Sequence, residues 1–77
     1  MAKVVKVYVV DDHGNGLAGQ KVKTYGGALM KTDREGCASL IIDRSEVSIF
    51  INGHEAFDGY SMRLGSVEVF TKAGRRP

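Results

Sequence analysis

Val47-Ser48-Ile49-Phe50-Ile51-Asn52-Gly53 is the stretch that decides how this chain folds. Val47, Ile49 and Ile51 fall on one face and Ser48 and Phe50 on the other, the period of two that a half-buried strand requires. Asn52-Gly53 then supplies two residues that accept positive φ, so they suit the mirror-image turn whose twist matches that of paired strands. The chain is therefore expected to return as an antiparallel partner, with Phe50 on the opposite side from the inward Val47, Ile49 and Ile51.

The same alternation recurs on both sides of this hairpin. Val5, Val7 and Val9 share a face of a first strand over 4–10, and the other face carries Val4, Lys6, Tyr8 and Val10. The run Asp11-Asp12-His13-Gly14-Asn15-Gly16 turns the chain, and Gln20 to Tyr25 alternates as a half-exposed strand. Gly26-Gly27 suits a tight two-residue turn into a return strand over Ala28 to Thr32. Asp33-Arg34-Glu35-Gly36 turns again, and Cys37 to Ile42 places Ala38, Leu40 and Ile42 on one face. His54 to Ser61 is the least regular segment, with a turn or bulge at Asp58-Gly59 and Met62-Arg63-Leu64 finishing the strand. A last strand, Val67 to Thr71, sets Val67, Val69 and Thr71 on one side. Six to seven strands with short loops and no convincing helix predict an all-β domain, a small antiparallel β-sandwich, with a small β-barrel as the competing topology.

Seventy-seven residues make one domain over 1–72 with a flexible basic tail at 73–77. At this size a core rarely supplies more than about 3–5 kcal/mol, so few residues are free to build a reaction centre. The apolar runs are broken by Lys6 and Ser48, which excludes a membrane-spanning helix, and the N-terminus lacks the pattern of a secretory signal, so a cytoplasmic location is the default expectation. Eleven basic residues face nine acidic ones, and without Arg75 and Arg76 the two sets balance. A neutral body disfavours nucleic acid as a partner.

Two turn motifs carry a resemblance. Asp11, Gly14, Gly19 and Val22 fit D-x-x-G-x-x-x-x-G-x-x-V, and Thr32, Asp33 and Gly36 fit T-D-x-x-G. In these the chain resembles the carboxypeptidase regulatory-like domains, transthyretin-like β-sandwiches related in style to bacterial Ig-like and CnaB modules. The resemblance spans roughly residues 4 to 71 and implies a non-catalytic accessory or adhesion-like module, usually one part of a larger protein. CnaB-type relatives can join a first-strand lysine to a last-strand asparagine. Lys3 or Lys6 could supply the amine, but Val67 to Thr71 holds no asparagine, and that bond is rejected.

Sharper chemistry fails on spacing. Gly14-Asn15-Gly16-Leu17-Ala18-Gly19 matches G-x-G-x-x-G, yet strand rather than helix follows, so no helix N-terminus is available for a pyrophosphate. Asp11, His13 and Asn15 imitate the start of a calcium loop, but Val22 stands where the bidentate carboxylate belongs, leaving at most a weak surface cation at Asp11 and Asp12. Cys37, His13 and His54 lie at no ligand or nucleophile spacing, so no metal, no cofactor and no enzymatic activity are expected.

The expectation is thus a non-enzymatic binding or structural module acting through loops and sheet edge, within an oligomer or larger assembly, with a protein partner or a second copy as its contact. The alternative is carbohydrate or small-ligand binding by the His54 to Met62 segment, where His54 and Glu55 would give polar contacts and Phe57 and Tyr60 would stack; the favoured reading of Phe57 and Tyr60 is that they fill the core, which has no tryptophan. Lys21, Lys23 and Lys31 with Tyr25 form a second candidate surface, which edge protection by lysine also explains.

Overall fold

Alternation along the chain becomes seven strands among the described residues: β1 (Lys3–Val10), β2 (Lys21–Thr24), β3 (Leu29–Lys31), β4 (Cys37–Ile42), β5 (Glu46–Ile51), β6 (His54–Tyr60) and β7 (Val67–Thr71). The computed structural model describes residues 2–77; Met1, the first residue of the expected domain, lies outside the described residues. The strands form a three-stranded sheet in the order β4-β1-β7 and a four-stranded sheet in the order β3-β2-β5-β6. They do not close into a barrel, so the sandwich topology holds. One pairing departs from the antiparallel pattern: β7 runs parallel to β1, with Val7 opposite Glu68 and Val9 opposite Phe70.

The core lies between the sheets. Val5, Val7 and Val9 from β1, Ala38, Leu40 and Ile42 from β4 and Phe70 from β7 meet Val22, Ile49 and Ile51 from the other sheet. Full burial of each large aliphatic side chain contributes about 1.5–3 kcal/mol. Val47, Ala56 and Phe57 pack against the margin. Leu64 is buried with the core, and the Lys3 ammonium donates to the Leu64 and Ser61 carbonyls at 2.7 and 3.2 Å.

The turns that hand the chain from one sheet to the other are tied by side chains. The Asp33 carboxylate accepts from the Glu35 and Cys37 amides at 2.9 and 3.1 Å, and Gly36 closes the turn at φ +85°. Thr32 is buried; its hydroxyl donates to the Leu17 carbonyl at 2.5 Å and accepts from the Gln20 amide at 2.9 Å. Gly16 is required because the 11–16 turn lies directly on the 33–36 turn, and a Cβ there would overlap the Glu35 carbonyl.

Three local expectations change. Between β2 and β3 the Gly27 amide bonds the Thr24 carbonyl at 3.0 Å, with Tyr25 and Gly26 as the central pair; Gly26 alone takes positive φ, and β3 begins only at Leu29. The irregularity in β6 sits at Ala56, where the register shifts between Ile49 and Phe50, rather than at Asp58-Gly59. Ser61–Arg63 forms a 3-10 turn instead of completing the strand, held by the Ser61 amide on the Ser45 carbonyl at 2.8 Å and the Ser61 hydroxyl on the Arg44 carbonyl at 2.7 Å. The Asn52-Gly53 hairpin turn is as expected, at φ +50° and +84°.

Candidate functional site

The outer face of the four-stranded sheet carries most of the charge that the strands display. Lys21 lies opposite Lys31, and Lys23 lies between Leu29 on β3 and Phe50 on β5. Phe50 in turn faces Glu55, and Ser48 faces Asp58, whose carboxylate accepts the Ser48 hydroxyl at 2.7 Å. Lysines therefore occupy the β2–β3 half and the carboxylates of Glu46, Glu55 and Asp58 the β5–β6 half, with Phe50 at the boundary. Beside Phe50 opens a groove of about 430 Å³ lined by Lys21, Lys23, Tyr25, Leu29, Asn52 and Gly53. The Asn52 side chain is already committed: its oxygen accepts the Lys21 amide at 3.0 Å and its nitrogen donates to Gln20 Oε1 at 2.9 Å and the Lys72 carbonyl at 3.0 Å. The groove's charged lining is the Lys21 and Lys23 side chains, beside the aromatic Tyr25 and Phe50.

A second cleft, also about 430 Å³, opens between the β2–β3 turn and the segment joining β4 to β5. Tyr25, Asp43, Arg44, Glu46 and Asp58 line it, so three acidic residues and one arginine share the cleft. None is ion-paired there, since the ion pair among the described residues joins Arg76 to Glu68.

The His54 to Met62 segment does not assemble as a loop. It is strand β6 followed by the 3-10 turn, which spreads its side chains along an edge and over two faces. Phe57, opposite Ile49, packs against the core, whereas Tyr60 is 55% exposed at the far end of the strand and Met62 is 84% exposed beyond it. His54 and Glu55 start the strand next to the hairpin turn, remote in sequence and register from Tyr60. The structure instead brings Lys21, Lys23 and Tyr25 together and adds Phe50 and Leu29 to them. Phe50 was legible as an outward residue, but only the order of strands reveals which lysines it meets.

The outer face of the three-stranded sheet is the reverse in chemistry. Val4 lies opposite Ile41, and Val67 opposite Lys6, with exposures of 55%, 75% and 51% for the three apolar residues. Lys6 is the one formal charge that β1, β4 and β7 present between Val4 and Val69. Tyr8 sits opposite Cys37, whose hydrogen bond and charge are the leading causes that raise the phenol above its ordinary value. His54 belongs to the other sheet, and neither histidine side chain is hydrogen-bonded to Cys37 among the described residues.

Edge protection differs among the four outer strands. β3 has three residues and Lys31; β6 has the bulge at Ala56 with Glu55 and Asp58; β7 points Glu68 inward. β4 has none of these devices: Cys37-Ala38-Ser39-Leu40-Ile41-Ile42 is uncharged, unbulged and free of proline.

The remaining sequence candidates are structural. Asp11 accepts the His13 and Asn15 amides at 2.8 and 2.9 Å, and these bonds, that of Asn15 first, hold its carboxyl below the ordinary range. Among the described residues no three His, Cys, Asp or Glu side chains gather as a metal-ligand group. The 73–77 tail folds back: the Thr71 amide bonds the Arg75 carbonyl at 2.7 Å, and Arg76 pairs with the buried Glu68 and lies 4.7 Å over the Phe70 ring. Arg76 is thereby bound within the domain. Compared with known protein families, curated proteins and solved structures, the chain matches none.

Proposed function

We propose that this protein is a non-enzymatic binding module that joins a larger assembly by accepting an extended strand of a protein partner along β4. The observation that carries this reading is the unguarded edge of β4 beside the exposed Ile41 and Val4. From Ala38 to Ile42 no side chain or loop is hydrogen-bonded to that edge among the described residues, so its main-chain groups are open to strand addition. The adjoining exposed Val4 and Ile41 offer apolar surface to alternate side chains of the incoming strand. The resemblance to carboxypeptidase regulatory-like and transthyretin-like modules supports the same non-catalytic role, and both of its turn motifs serve here as hydrogen-bonded connections between sheets.

Ile41→Lys places a charge on the edge strand at a position that is 75% exposed, so the fold is retained. Protein co-purified from the native cell extract should be recovered by the wild type and lost with I41K, and amide hydrogen exchange of the complex should slow at residues 38–42. Retention by I41K, or exchange at 38–42 unchanged on binding, would refute strand addition at β4.

A further inference from the structure

The four-stranded face offers a separate interaction, on the opposite side of the sandwich from β4's outer face and independent of it. We infer that this face is self-complementary and docks on a second copy of the same chain, the lysine half of each copy covering the carboxylate half of the other.

Charge arrangement selects both occupant and orientation. Lys21 and Lys31 are direct cross-strand neighbours, and like charges so placed repel within one copy. No carboxylate of the same chain is ion-paired with Lys21, Lys23 or Lys31 among the described residues. An opposing surface that carries acid relieves that repulsion, and the molecule itself displays one on β5 and β6.

Two such faces can meet about a two-fold axis along the strands or across them. An axis across the strands lays β3 on β3 and β2 on β2, setting lysine against lysine. An axis along the strands lays β3 over β6 and β2 over β5, because the sheet order is β3-β2-β5-β6. Within one register row the residues read Leu29, Lys23, Phe50, Glu55. Reversed onto itself, that row puts Lys23 of each copy over Phe50 of the other, and Glu55 of each beside Leu29 and its neighbour Lys31. An ammonium over an aromatic face is attractive, and here it occurs twice, related by symmetry. The groove next to Phe50 leaves room for the facing side chains.

Four strands at about 4.8 Å spacing give a face only about 20 Å wide, smaller than a standard interface, so the association is weak and sensitive to salt. Arg44 borders Glu46 and Asp58 in the neighbouring cleft without an ion pair and dilutes the acidic half at that end, which places the weight of the contact on Glu55 and Lys23.

Sedimentation velocity over a concentration series tests this directly. The wild type should form a dimer that weakens about tenfold when salt is raised from about 0.05 to 0.5 M. K31E and E55K, both exposed changes, should each be monomeric at concentrations where the wild type is dimeric, because each homodimer then sets residue 31 of one copy beside a like charge at residue 55 of the other. An equimolar mixture of K31E and E55K should restore the dimer, since every 31–55 contact across the axis is again of opposite sign. Circular dichroism verifies folding, and K31D replaces K31E should the latter fail to fold. A monomeric wild type at millimolar concentration, a dimer that survives both single variants, or a mixture that stays monomeric would each overturn the proposal. Loss of the wild-type dimer through I41K would reassign self-association to β4.

Discussion

The two outer faces of this sandwich differ although they arise from one alternating pattern. On the three-stranded side, outward positions repeat the chemistry of the core: Val4, Ile41, Val67 and Val69 stand outside while Val5, Leu40 and Phe70 stand inside. On the four-stranded side, outward positions are Lys21, Lys23, Lys31, Glu55 and Asp58, divided by sign around Phe50. A polar outer face is the ordinary solution for an antiparallel sheet with one side solvated. An apolar outer face with an open, uncharged edge is the feature on which the proposed partner contact rests. Contacts of the first kind give steering and orientation, and contacts of the second give area burial.

The largest perturbation of this contrast removes what holds the faces apart. Phe70 is fully buried on β7 and covered by Arg76. Phe70→Ala should cost about 3–5 kcal/mol, measured as a lower denaturant midpoint. On a core of this size that loss abolishes both surfaces together. A drop below about 1 kcal/mol would show that the layer between the sheets collapses onto the missing ring.

A smaller effect separates the sheets by pH. Glu68 is the carboxylate turned inward from the three-stranded sheet, and burial alone would raise its carboxyl. The Gly65 amide at 2.7 Å, the Arg76 guanidinium and the Lys3 ammonium outweigh that burial and hold it below the ordinary value. A carboxyl lowered in the folded state adds stability above its unfolded value, and that stability disappears as pH falls through the folded value. Arg76 is 55% exposed, so solvent screening limits the pair to at most about 1 kcal/mol. Denaturant midpoints taken from neutral pH down into the carboxylate range should fall for the wild type, and in Glu68→Gln this component should vanish. Asp11 acts in the same direction through its amide bonds and remains in both proteins. Equal pH slopes for the two would show that Glu68 is not held in its charged form.

How much of this was legible follows from which forces are local. Strand identity came from side-chain period, the Asn52-Gly53 turn from the need for two positive φ values, and the Asp33 turn from a carboxylate able to bond amides two and four residues ahead. At Gly26-Gly27 only Gly26 takes positive φ, and a Cβ at Gly27 would meet the Thr24 hydroxyl, which would have to rotate away. In β7, alternation gave two faces but no rule for choosing between Val67-Val69-Thr71 and Glu68-Phe70. The choice depends on Arg76, eight residues away, neutralising Glu68. The candidate site divided in the same way. Lys21, Lys23 and Tyr25 were readable as neighbours on one hairpin, whereas Phe50 reached them only through the pairing of β2 with β5. Phe57 fills the core as the favoured reading has it, whereas Tyr60 does not, because the bulge at Ala56 resets the alternation and sends Phe57 inward and Tyr60 outward.

The smallest stability change carries the sharpest test of the contrast. Ile41 is 75% exposed in the monomer, so replacing it removes little buried surface, and Ile41→Lys should shift stability by no more than about 0.5 kcal/mol. An apolar side chain held in water at an open edge has no folding reason to be there, since lysine at that position would discourage unwanted pairing at no cost to the core. Unchanged thermal stability together with lost partner binding would locate the role of Ile41 outside the monomer. A marked destabilisation, above about 1.5 kcal/mol, would mean that Ile41 and Val4 stabilise the β1–β4 pair themselves, and the two outer faces would then differ only in composition.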